Sequence, residues 1–148
     1  MVATVPGTAR ADDAAIKQTV LNAMPRIWAD FDQVNHATDG KVTRRKILRT
    51  IRLIRHTDAD LARLVTAIGQ QQASTPTGTA GQQDAVQCLT LTLQSNRAVI
   101  LALRATLRGR DALAQHELSL AGSFYQASRE PGNKADKELG LPRHTLGS

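Results

Sequence analysis

Residues 41–68 read KVTRRKILRTIRLIRHTDADLARLVTAI, and the spacing within this stretch decides the fold class. Ile47, Ile51, Ile54, Leu61, Val65 and Ile68 recur at steps of three and four, or multiples of them. At about 100° per residue they share one side of a helix. Arg45, Arg49, Arg52, His56 and Arg63 fall on the other side. The stretch therefore predicts an amphipathic helix with its dry seam in a bundle and its charged ridge in water. One seam position breaks the rule: Asp58 stands between Ile54 and Leu61, where the period calls for an apolar residue.

Upstream, Asp12 or Asp13 can cap a first helix. Ile16, Val20, Ala23, Met24, Ile27, Trp28, Phe31 and Val34 give it one broad apolar face. The apolar phase continues across Pro25, so residues 12–36 read as one helix kinked at the proline rather than two. Thr38-Asp39-Gly40 is a turn signal, and Asp39 or Thr43 can cap the helix that follows. A connection this short makes the first two helices an antiparallel hairpin.

Downstream, Gly69–Gln83 mixes Gly, Pro, Ser, Thr and Gln with no apolar residue larger than Ala. By composition it reads as a flexible linker over residues 70–83. A third helix is expected from Asp84 to about Arg108, with Val86, Leu89, Leu93, Ile100, Leu103 and Leu107 as its stripe. Asn96 lies on that stripe, where a polar residue can fix register. Gly109 interrupts the pattern, and Asp111 to about Arg129 reads as a fourth helix, either separate from the third or continuous with it. Pro131-Gly132 is expected to end the helical part. The resulting expectation is an all-α, antiparallel three- to four-helix bundle over 12–129. Residues 1–11 form a loose N-terminal tail and 130–148 a polar C-terminal tail in this reading.

The chain has 148 residues, 3% aromatic side chains and a formal charge of +6, enough length for a core built from Leu, Ile, Val and Ala. The charge is uneven. Residues 1–40 hold three basic and five acidic side chains, while residues 41–72 hold eight and two. The ridge Lys41, Arg44, Arg45, Lys46, Arg49, Arg52 and Arg55 is thus the strongest candidate for a binding surface, and arginine forks suit phosphate or carboxylate. It contains no aromatic residue to stack a base, and no helix-turn-helix, zinc-finger or RNA-binding sheet motif accompanies it. Asp30, Asp32 and Asp39 could neutralise part of it.

Other candidate chemistry is thin. The single Cys88 excludes an internal disulfide and a multi-cysteine metal site, and reads as a small buried hydrophobe. Asp32/His36 and His56/Asp60 are each four apart, but hairpin geometry is expected to hold the two pairs apart, so no metal site is assigned. Asp58 needs a partner if it is buried, with Arg97 or Arg104 as the candidates. Asp58, Asn96 and Arg97 are the polar residues expected at buried or register positions. No nucleophile elbow or phosphate-binding glycine loop is present, so neither catalytic residues nor a cofactor is assigned. No apolar run reaches the ~18 residues of a membrane span, and the N-terminus lacks a secretory signal. The expectation is a soluble intracellular protein, cytoplasmic or nuclear. Its expected role is a non-enzymatic helical interaction module, a small basic subunit of a larger or homo-oligomeric assembly that docks through helix faces. The alternative is nucleic-acid binding through the arginine-rich helix 41–56.

Overall fold

The computed structural model describes the backbone of residues 6–147 and side chains from Asp12 onward. Four helices account for most of it: α1 (Pro6–Ala37), α2 (Arg44–Gly69), α3 (Pro76–Leu107) and α4 (Asp111–Glu138). α1 packs along α2, α2 along α3 and α3 along α4. The molecule is therefore an all-helical bundle of successive antiparallel pairs.

α1 runs unbroken through Pro25, as the continuous apolar phase predicts. Thr43 caps α2, its side chain accepting from the Lys46 amide at 3.2 Å. Gly109 ends the question of continuity between α3 and α4. Its φ of +66° is a left-handed conformation that glycine adopts without steric penalty, and it turns the chain between the two helices.

The expected linker over 70–83 is largely helix. α3 begins at Pro76, so the connection to α2 spans only residues 70–75. Thr75 is the N-cap, accepting from the Gly78 amide at 2.9 Å, and Pro76 occupies the first turn, where its missing N–H costs nothing. Asp13 of α1 holds the same corner. Its carboxylate accepts from the Ser74 amide at 2.9 Å and from the Thr75 hydroxyl. Low intrinsic propensity in the Gly/Thr/Gln run is overridden by these caps and by burial of Gly81 and Ala85.

The C-terminal stretch also differs from expectation. α4 continues through Pro131-Gly132, which are both buried, and residues 139–147 fold back onto the bundle. Asp136 fastens them: its two carboxylate oxygens accept the Leu146 and Gly147 amides at 2.8 and 3.0 Å. Trp28 Nε1 donates to the Thr145 carbonyl at 3.0 Å. Gly132 permits this approach, since a Cβ there would stand 2.8 Å from the Leu146 carbonyl oxygen and 2.9 Å from Cys88 Sγ. The expected polar tail is thus part of the core. Of the expected N-terminal tail, residues 6–11 belong to α1, and residues 1–5 lie outside the described part.

Two apolar clusters result. The larger joins Ile16, Val20 and Ile27 of α1, Leu61 and Ile68 of α2, Leu89 of α3, Ala135 of α4 and Leu139, Leu141 and Leu146 beyond it. The smaller holds Ile47, Ile51 and Ile54 of α2 against Ile100 of α3, with Val34, Leu103 and Leu107 at its edge.

Candidate functional site

An open groove runs between the outer helices. It encloses about 460 Å³ and is lined by side chains of all four helices. α2 and α3 form its floor, and α1 and α4, which do not pack along one another, form its walls. Trp28, Phe31 and Val34 project from α1, Leu103 from α3, and Leu118 and Tyr125 from α4. Trp28 and Phe31 meet as a tilted aromatic pair with centroids 5.7 Å apart. Leu118 remains 54% exposed and Tyr125 45%, unusual for large side chains flanking a shared concavity.

Several groove residues are polar by type and apolar in effect. Thr50, Thr57 and Thr92 donate their hydroxyls to the carbonyls of Lys46, Leu53 and Cys88, one turn back, at 2.9, 3.0 and 2.9 Å. Ser95 donates across to the Ala121 carbonyl at 2.8 Å. With their hydrogens committed to backbone, these side chains contribute mainly carbon surface. At the foot of the groove Cys88 is buried, and desolvation, reinforced by the nearby Asp136 charge, pushes its thiol up to about 12. It behaves as the small hydrophobe its surroundings predict.

The two polar residues on the apolar stripes answer one another. Asn96 Nδ2 donates to Asp58 Oδ1 at 2.7 Å across the α2–α3 contact. Burial raises the Asp58 carboxyl above its ordinary range, and the Asn96 hydrogen bond partly offsets this. Asn96 thus takes the place that charge alone assigned to Arg97 or Arg104. Those two arginines instead line, with Arg55, Asp58 and Leu101, a recess of about 370 Å³ on the outer side of the contact.

On the arginine ridge, Lys41, Arg44, Arg45, Arg49, Arg52 and Arg55 are all exposed. Among the described residues none has an acidic partner within ion-pair distance. Lys46 is the exception in burial, turning its ammonium onto the Asp39 carbonyl at 2.5 Å. Two of the acidic side chains that could screen the ridge are engaged elsewhere: Asp39, in the turn after α1, sits 3.8 Å from His36, and Asp30 faces His56.

Asp30 belongs to a cluster that the helical spacing alone does not bring together. Asp30, His56 and Asp60 place one potential ligand atom each within 4.8 Å of the others. His56 Nε2 lies 3.9 Å from Asp30 Oδ2 and 3.8 Å from Asp60 Oδ2. These atom types could hold a cation, yet Asp60 already pairs with Arg63 and with Arg26 Nε at 3.3 Å. The Arg63 guanidinium draws the Asp60 carboxyl below its ordinary range, while burial and a hydrogen bond with Asp60 raise Asp30. The arrangement balances two carboxylates against two guanidiniums and locks α1 to α2. Of the two expected i, i+4 pairs, His56/Asp60 is close while His36 lies nearest Asp39, and Asp30 supplies the carboxylate that faces His56. Its signal was the pair of i, i+4 relations Arg26/Asp30 and His56/Asp60 on helices whose connecting turn is several residues long.

Comparison with protein families, with curated proteins and with solved structures yields no match for this chain.

Proposed function

We propose that this chain is a non-enzymatic helical docking module, a small basic subunit of a larger assembly. Its groove between α1 and α4 receives the apolar face of an amphipathic helix from a partner chain. The groove itself is the observation that carries this reading. Its α1 wall runs from Met24 to Thr38, about 21 Å at 1.5 Å per residue. That length matches about four helical turns, room for two successive sets of anchors at i, i+3, i+4 and i+7, each of which spans about 10.5 Å. Exposed Leu118, Tyr125 and Trp28 supply the large side chains that dominate such contacts. The hydroxyls turned into backbone favour an apolar face over a polar ligand.

The test compares affinity capture from native lysate by the wild type with capture by Leu118→Asp and Tyr125→Asp. Both positions are exposed, so both variants keep the wild-type melting midpoint. A stoichiometric partner held by the wild type and lost from both variants supports the groove. Equal retention by the folded variants, or a wild type that captures nothing and stays monomeric by light scattering, overturns the proposal. A second copy as the partner appears in the same experiment as a wild-type dimer that the variants do not form.

A further inference from the structure

A second surface lies on the outer side of the α2–α3 contact, built from different residues. Arg44, Arg45, Arg49, Arg52 and Arg55 rise exposed along α2, and the last of them, Arg55, shares a recess with Arg97 and Arg104 of α3. We propose that this face binds the phosphate backbone of double-stranded nucleic acid, with the recess between Arg55, Arg97 and Arg104 as its deepest seat.

Charge complementarity carries the argument. These five α2 arginines have no acidic partner among the described residues. Elsewhere in the same helix, Arg63 is paired, and so is Arg26 on α1. Seven like charges on one face repel one another, a cost that a polyanion converts into binding. The single carboxylate in the recess, Asp58, is engaged by Asn96, and three arginines outnumber it there. α2 presents its cations every three or four residues, a row along one helix edge, and α3 adds a second row across the recess. Arginine forks fit phosphate oxygens in pairs.

The same face disfavours other polyanions. Tryptophan, tyrosine and phenylalanine are absent from it, lying on α1 and α4. A single strand gains affinity by stacking its bases on such rings, so a duplex, which offers only backbone, suits the face better. An anionic membrane surface calls for a wedge of large apolar side chains, and only the scattered Val42, Leu48 and Leu101 are exposed beside the arginines. An acidic protein interface concentrates its charge at the rim around an apolar centre. Here three arginines reach into the deepest recess itself, beside Leu93, Ile100 and Leu101.

The full chain is titrated by fluorescence anisotropy into a 24-base-pair DNA duplex and an RNA duplex of equal length, at 50 and 200 mM salt. Contact with about five phosphates predicts about 500-fold weaker binding at the higher salt. The double variant Arg52→Glu/Arg55→Glu is expected to bind at least about tenfold more weakly and to reduce the salt slope by about 2. The control Lys137→Glu/Arg143→Glu makes the same change in net charge at exposed positions and is expected to bind duplexes nearly as the wild type does. Equal losses in the two double variants would assign the effect to net charge and overturn the site. No duplex binding at 50 mM salt overturns the proposal. So does binding that appears only with phosphatidylserine vesicles or with polyglutamate.

Discussion

The two ends of this bundle are built from the same kinds of residues and differ in how they close. At the end holding the α2–α3 connection, residues of every helix and of the C-terminal segment share one core. Ile16, Val20, Leu61, Ile68, Leu89, Leu139 and Leu146 form one cluster, several of them wholly buried. At the end holding the α1–α2 and α3–α4 turns, α2 and α3 share only the smaller isoleucine cluster. There α1 and α4 stand apart around the groove. The difference lies in what fills the space between the outer helices: residues 139–147 at one end and nothing from the described chain at the other. Closure is thus a property of a short segment, and the groove begins where that segment stops.

The largest effect expected from breaking this contrast is in the closed core. Ile68→Ala removes a fully buried side chain and should cost about 2–5 kcal/mol. Leu118→Ala at the groove rim should stay within about 0.5 kcal/mol. Urea unfolding of both measures the contrast, and similar losses would mean that the two ends are equally packed.

Next is the clasp itself. Gly132→Val places carbon against the Leu146 carbonyl and Cys88 Sγ and should cost about 1–3 kcal/mol. Hydrogen exchange should show faster exchange at the Leu146 and Gly147 amides, which Asp136 otherwise protects. Protection unchanged from wild type would show that the close approach does not govern the segment.

A smaller effect belongs to the polar pair between α2 and α3. Asn96→Leu leaves a half-buried Asp58 without its donor and should cost about 1 kcal/mol. Adding Asp58→Leu should restore most of it, since both partners are then apolar. A double variant no more stable than the single one contradicts the pairing.

The smallest concerns Asp13, at the corner of the closed end. Burial opposes its ionisation, but hydrogen bonds from Thr75 and Ser74 together hold its carboxyl below the ordinary 3.8. A depressed carboxylate contributes stability above its unfolded pKa and loses it as pH falls through the folded value. Asp13→Asn should therefore show a shallower decline in melting midpoint below about pH 4. A decline as steep as the wild type's removes Asp13 from the account.

The residues that could be read from sequence alone are those whose period reports their own environment. Of the seam Ile47, Ile51, Ile54, Leu61, Val65 and Ile68, all but the partly buried Val65 are buried as the spacing predicts, and α1 runs intact through Pro25, where the apolar phase continues. Composition misled where distant contacts outweigh local preference. Gly/Thr/Gln-rich 76–83 is helical because Thr75, Pro76 and Asp13 fix its start. Pro131-Gly132 continues a helix because a small residue is needed beneath Leu146. The candidate sites divide the same way. Asp58 and Asn96 were visible as anomalies on two stripes, and only three-dimensional register makes each the other's explanation. The groove had no signal of its own. Trp28, Phe31, Leu118 and Tyr125 sit on ordinary apolar positions, and whether such positions are covered depends on where α4 lies relative to α1.

The most direct test of the open groove uses Trp28, the chain's single tryptophan, as an energy donor to the apolar dye 1-anilinonaphthalene-8-sulfonate. The native protein should bind the dye with saturable, near-stoichiometric transfer from Trp28. Leu118→Asp/Tyr125→Asp should lose that transfer while keeping its melting midpoint. A native wild type that shows no transfer, or a folded variant that shows it undiminished, would contradict an apolar groove between α1 and α4.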